Sequence, residues 1–151
     1  MSQHKFIFLM MALVLLLTGC QTARAATAIP EPRDPDGNVK IILEEPFKLL
    51  LGESGVYAAD ALTITFAEML GDSRCPADAL CMMAGLVQVK VLVTVGQTQD
   101  EVVLTLGDLY AGNVQQVDLH GYKLSLQAVE PYPVTTNRTQ PDEYRAVFML
   151  E

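Results

Sequence analysis

Cys75 and Cys81, with five residues between them, are the side chains of this chain best placed for covalent chemistry. In an exported protein, two thiols at this spacing read as a local disulfide. By loop-closure entropy such a bridge contributes about 2–2.5 kcal/mol. Structural zinc needs four ligands; with Cys20 set apart, the chain after it offers two thiols and His120. Asp72, Ser73 and Arg74 stand directly before the first cysteine. The guanidinium of Arg74 can fork onto a carboxylate, and Asp72 and Ser73 can cap backbone amides. Two roles are open for this stretch. Either Arg74 closes an internal ion pair inside a stapled crossover, or a rigid surface loop presents Arg74 and Asp72 to a binding partner.

The remaining chemistry is sparse. His120 is followed by Gly121, a tight-turn signal in which a solvated histidine is the ordinary reading. The pairs Glu44-Glu45, Asp100-Glu101 and Asp142-Glu143 are sequence neighbours, and neighbours on a strand point to opposite faces, so they make poor acid–base dyads. Met69, Met82, Met83 and His120 are soft ligands of the kind that hold Cu(I), although methionine more often fills gaps in a core. Asp34, Asp36, Asn38 and Glu45 occupy positions 1, 3, 5 and 12 of a calcium-loop pattern. Val39, however, stands where the sharp turn wants glycine. Gly52-Glu53-Ser54-Gly55 misses the nucleophile-elbow spacing by one residue. These patterns predict no catalytic residue, no cofactor and no enzyme.

The elements that must position these residues are short and strand-like. Val39–Leu43 and Phe47–Leu51 are apolar runs split by Glu44-Glu45-Pro46, and Leu62–Phe66 alternates cleanly. In Leu86–Val95 the residues Val87, Val89, Val91, Val93 and Val95 share a face, the pattern of a central strand. Gly96–Asp100 reads as a hairpin loop into Glu101–Leu106. Val114–Leu119 pairs with Tyr122–Val129 through His120-Gly121, and Tyr144–Leu150 closes the chain after an irregular Pro131–Pro141 loop. Leu104–Ala111 has room for a turn of helix. About eight short strands with regular turns predict an all-β fold, an antiparallel β-sandwich or a small barrel.

The first residues carry one lysine, Lys5, and then Phe6–Leu17 without a charge. That run is too short for the roughly 20 apolar residues of a membrane span, and it fits a signal peptide. Leu17-Thr18-Gly19-Cys20 matches the lipobox of bacterial lipoproteins. The match implies cleavage before Cys20 and acylation of its thiol, with fatty-acyl chains such as palmitate holding the product on a bilayer. Residues 1–19 would then be the signal peptide. Residues 20–38, small, polar and proline-punctuated, would be a lipidated flexible tether, and residues 39–151 a single domain. Gln21 after the cysteine favours an outer membrane where one exists. The net charge is −8, and loss of Lys5 with the signal leaves the remainder more acidic. Such a chain repels nucleic acid.

Asp72-Ser73-Arg74-Cys75-Pro76, the second cysteine Cys81 and Ala84-Gly85 before the valine strand resemble an uncharacterised family of bacterial secreted and lipid-anchored proteins. The likeness extends to Gly121–Pro131 and to Pro141 with Tyr144. Such proteins often carry valine and tryptophan after the second cysteine, where this chain has Met82 and Met83. The resemblance implies a small β fold and no particular activity. Together these readings predict a non-enzymatic, lipid-anchored binding or accessory module of the cell envelope, held to the membrane through its lipid and partnered by another envelope protein. The alternatives are a metal-handling lipoprotein (copper or calcium) and a lipoprotein protease inhibitor.

Overall fold

The valine row of Leu86–Val95 is the spine of the larger of two sheets. The computed structural model describes residues 31–107 and 112–151. The signal peptide, Cys20, the tether as far as Pro30 and the last part of the proposed helical turn lie outside the described residues. Glu31–Glu151 forms one compact unit. Its strands are β1 Val39–Lys40, β2 Pro46–Leu50, β3 Ser54–Tyr57, β4 Leu62–Asp72, β5 Leu86–Val95, β6 Thr98–Gly107, β7 Gln116–Leu119, β8 Tyr122–Glu130 and β9 Arg145–Leu150, with a 3-10 turn at Pro141–Glu143.

One sheet runs β1-β3-β4-β5-β6 and the other β2-β9-β8-β7. Every pairing is antiparallel except that of β1 with β3. Each sheet keeps two free ends, so the fold is a sandwich and not the barrel that the strand pattern also allowed. Val87, Val89, Val91 and Val93 are buried with Leu62, Ile64 and Phe66 on one layer; Phe47, Leu49, Leu124, Leu126 and Phe148 face them from the other. Phe148 joins the layers, edge-on to Phe66 at 6.3 Å and tilted against Phe47 at 5.9 Å.

Three expectations change in detail. The β5–β6 hairpin is tighter than a five-residue loop, because Val95 pairs directly with Thr98. Leu104 to Gly107 continues β6 and is not helical. The first apolar run forms only the two-residue β1. The stretch expected to end the tether is hydrogen-bonded from Pro32 onward: Lys40 N–H donates to Pro32 O at 2.7 Å, and Arg33 bridges Val39.

Beyond Phe66, β4 breaks its own period. The register slips between Phe66 and Glu68 and again between Met69 and Gly71. A strand without bulges would turn Glu68 inward. The first bulge instead turns it out to Lys90, whose ammonium is 3.1 Å away. The second sets Asp72 opposite the buried Val87.

The hairpin end is pinned across the sheets. His120 and Gly121 both have positive φ, 53° and 86°, the backbone of a type I′ turn. His120 Nε2 lies 2.6 Å from Asp100 Oδ2, and Tyr122 donates its hydroxyl to Asp60 Oδ2. That bond first, then desolvation and the charge of Asp60, pushes the Tyr122 phenol up to about 12. A phenol whose pKa rises on folding adds stability below its ordinary pKa near 10, and the contribution disappears as pH climbs through the folded value. Tyr122→Phe is therefore expected to remove the step near pH 12 from the ultraviolet phenolate titration and to flatten the stability loss between about pH 10 and 12. A step that survives the substitution would assign it elsewhere.

Candidate functional site

At the opposite end, the connection from β4 to β5 carries the two cysteines and is fastened at every level. Cys75 and Cys81 form a disulfide with Cα atoms 5.9 Å apart, within the usual range. Beneath it, Arg74 Nε donates to Asp72 Oδ1 at 2.8 Å and Nη2 to Oδ2 at 2.6 Å, a bidentate pair. Nη1 donates to Val129 O at 2.6 Å, and Nη2 also reaches Pro131 O at 3.1 Å. The peptide between Glu130 and Pro131 is cis. Tyr132 lies under the guanidinium, its ring centroid 4.9 Å from Cζ, and Tyr144 donates its hydroxyl to Asp72 Oδ2 at 3.3 Å. Burial, with the nearby Asp72 carboxylate, raises the Tyr144 phenol pKa. The Arg74 and Asp72 side chains are each 7% exposed. No buried side-chain nitrogen or oxygen among the described residues lacks a partner.

Arg74 is therefore committed to bonds inside the fold. Of the two roles that its sequence allowed, it takes the internal one. Its guanidinium closes the gap between the end of β4 and the exit of β8, donating to the main-chain carbonyls of Val129 and Pro131.

The two sides of the loop are tied as well. Ser73 N–H donates to Leu86 O and Cys75 N–H to Ala84 O, both at 2.8 Å. Gly85 is required here: its φ is +73°, and a Cβ would stand 2.0 Å from Ser73 O. Ala77 N–H donates to Pro133 O at 2.9 Å. Asp78 accepts the Thr135 amide at 2.8 Å and its hydroxyl at 2.6 Å, bonds that hold the Asp78 carboxyl below its ordinary pKa. Thus the Pro131–Pro141 loop buttresses the cysteine loop.

What this base holds up is apolar. Leu80 and Met82 are fully exposed and Met83 is 67% exposed, three large hydrophobic side chains bracketing Cys81. An open hollow of about 420 Å³ runs beside them, lined by Arg74, Pro76, Met82, Met83 and Leu86 among others. A wider cleft of about 790 Å³, lined in part by Met69, Asp72, Val134, Arg138 and Tyr144, offers less chemistry because Asp72 is already committed to Arg74 and Tyr144. Leu80 was passed over in the sequence reading, although an apolar residue inside a short cysteine-bounded turn has no core to enter. Asp78 and Thr135 were missed because nothing in the sequence joins two loops so far apart.

The metal readings are not assembled. Asp100, the partner of His120, sits opposite Val93 on β5, while Met82 and Met83 precede the other end of that strand. At about 3.3 Å per residue the separation exceeds roughly 20 Å, so these three cannot share an ion. In the calcium pattern, Asp34 Oδ1 accepts the amides of Asp36 and Asn38, and Oδ2 accepts Asn38 Nδ2. Val39 at the turn position is strand β1. Among the described residues no cluster of three or more His, Cys, Asp or Glu could hold a metal.

No family model, curated protein or solved structure matches the chain.

The assignment of Arg74 has a measurable consequence. Removing one partner of a buried ion pair leaves the other charge uncompensated, at a cost of about 3–5 kcal/mol. Arg74→Ala should lower the denaturant midpoint by that equivalent. Arg74→Lys should recover only part, because an ammonium cannot fork onto Asp72 and reach two carbonyls together. A near-neutral Arg74→Ala would place the pair outside the fold's support.

Proposed function

We propose that the chain is a lipid-anchored, extracytoplasmic binding or accessory module of the bacterial cell envelope, without enzymatic activity. It docks an envelope protein through the stapled knuckle of Leu80, Met82 and Met83. One observation carries this reading: three large apolar side chains stand in water on a loop whose base is fully bonded. Burying a leucine or methionine side chain against a partner gains about 1.5–3 kcal/mol. A loop already fixed in place loses little entropy when it binds.

The address rests on the lipobox Leu17–Cys20 and the short apolar run before it. The resemblance of the Asp72–Gly85 stretch to secreted and lipid-anchored proteins agrees with it. The acidic charge of −8 disfavours nucleic acid as the ligand. The non-enzymatic reading is supported by the commitment of His120 to Asp100 on the hairpin end.

A second reading is inhibition of a protease. A disulfide-bracketed loop that offers Leu80 to solvent has the stiffness and the apolar side chain to fill a specificity pocket. The knuckle would be the same and the partner an enzyme, so a panel of envelope proteases assayed with and without the chain separates the two.

The docking is tested with a photoreactive benzophenone amino acid in place of Ala84, beside the knuckle, or of Gln97 in the far hairpin. Irradiation of native membranes is expected to join one discrete protein to the Ala84 probe and none to the Gln97 probe. Leu80→Asp with Met82→Asp should weaken that crosslink about 30-fold, the scale of a lost interface hot spot. The melting temperature should stay unchanged, since both side chains lie outside the core. Equal labelling from both positions would sink the knuckle as the docking surface.

A further inference from the structure

We propose that Met82 and Met83 form a reversible oxidation site that switches the knuckle between an apolar and a polar surface. The consequence for docking rests on the proposed function above; the site itself rests on how the methionines are distributed. The chain has seven methionines, of which Met69, Met82, Met83 and Met149 lie among the described residues. Met69 is partly buried against the core. Met149 is half-buried on β9, between Pro46 of β2 and Ser125 of β8. Met82 is fully exposed and Met83 is 67% exposed. Among the described residues, the two thioethers that an oxidant in the surrounding solution reaches first are thus the two that make up most of the knuckle.

The chemistry needs a two-electron oxygen donor, and hydrogen peroxide is the class we name. The thioether sulfur attacks one peroxide oxygen. The S–O bond forms as the O–O bond breaks, and the departing hydroxide takes the proton of the oxygen now bound to sulfur, leaving water and the sulfoxide. Sulfur is oxidised by two electrons and peroxide reduced by the same two. The adjacent Cys75–Cys81 disulfide carries no thiolate that would compete for the oxidant. The product places a polar sulfoxide on each side chain, and reductases specific for methionine sulfoxide reverse it.

Position makes this a switch and not damage. Oxidation of a core methionine disrupts packing. The knuckle methionines instead project from a loop held by Arg74, Asp72, Asp78 and its main-chain bonds. None of these bonds uses a methionine side chain. The fold should therefore survive a change that removes the apolar surface.

The experiment takes the full disulfide-bonded chain through a time course in millimolar hydrogen peroxide, with peptide mass spectrometry and a melting curve at each point. Met82 and Met83 are expected to gain one oxygen at least fivefold faster than Met69 and Met149, with the melting temperature unchanged. Equal rates at the four residues, or melting that falls as Met82 and Met83 oxidise, would overturn the site. The Ala84 photoprobe then reads the switch. Oxidised chain should crosslink at least tenfold less than untreated chain, and Met82→Leu with Met83→Leu should keep its crosslink after peroxide. Undiminished crosslinking by oxidised wild type overturns the switch and leaves docking standing. If untreated chain forms no crosslink, docking and the switch fall together, while the oxidation rates still decide the site.

Discussion

The buried pair of Asp72 and Arg74 is the constraint on which one end of this sandwich depends. Asp72 closes β4, and Arg74 reaches across to carbonyls at the exit of β8. Tyr144, just ahead of β9, adds a third contact to the same carboxylate. Strands from both sheets thus meet on one ion pair. Burying such a pair is not itself a source of great stability, because desolvation offsets most of the Coulomb attraction. Its value here is placement. One guanidinium serves the carboxylate and both carbonyls at once, so these groups are satisfied together in one arrangement, and that arrangement fixes where the cysteine loop leaves the sheet.

From that point stiffness builds outward. The disulfide spans the loop, Gly85 lets its second limb pass against Ser73 O, and Asp78 with Thr135 ties it to the neighbouring loop. Neither the disulfide nor the ion pair accounts for the side chains at the tip. Leu80, Met82 and Met83 contribute nothing to the core, and polar residues there would leave every bond of the base intact. Single exposed apolar residues are ordinary on protein surfaces. Three within four positions, on a loop fastened at its base, make a contiguous apolar tip that is not ordinary surface scatter.

The parts of this organisation governed by local period were legible in the sequence. The valines of β5 alternate without a break, and so does Leu62–Phe66; both strands and the β7–β8 turn at His120-Gly121 follow directly. Residues 67–72 did not read as strand because two bulges shift the inward face by one residue each, which erases the alternation while the pairing continues. The direction of Arg74 was undecidable for a different reason. Its partners Val129 O and Pro131 O are main-chain atoms more than fifty positions away, and a carbonyl leaves no mark in a sequence. Histidine and methionine suggested a shared metal only because sequence carries no distance; the length of β5 separates them.

Charge and apolarity act on different scales in this molecule. The knuckle is a short-range feature, felt only in contact, whereas the net charge of −8 is felt out to a Debye length of about 8 Å in physiological salt. Two copies of the chain carry like net charge, which opposes their approach before short-range apolar contact can form. That repulsion opposes the self-association an exposed hydrophobic tip would otherwise favour. A less acidic surface meets no such barrier. Stiffness and charge thus act on the same three side chains in different ways: the bonded base holds them out in water, and the net charge works against their burial between two copies of the chain.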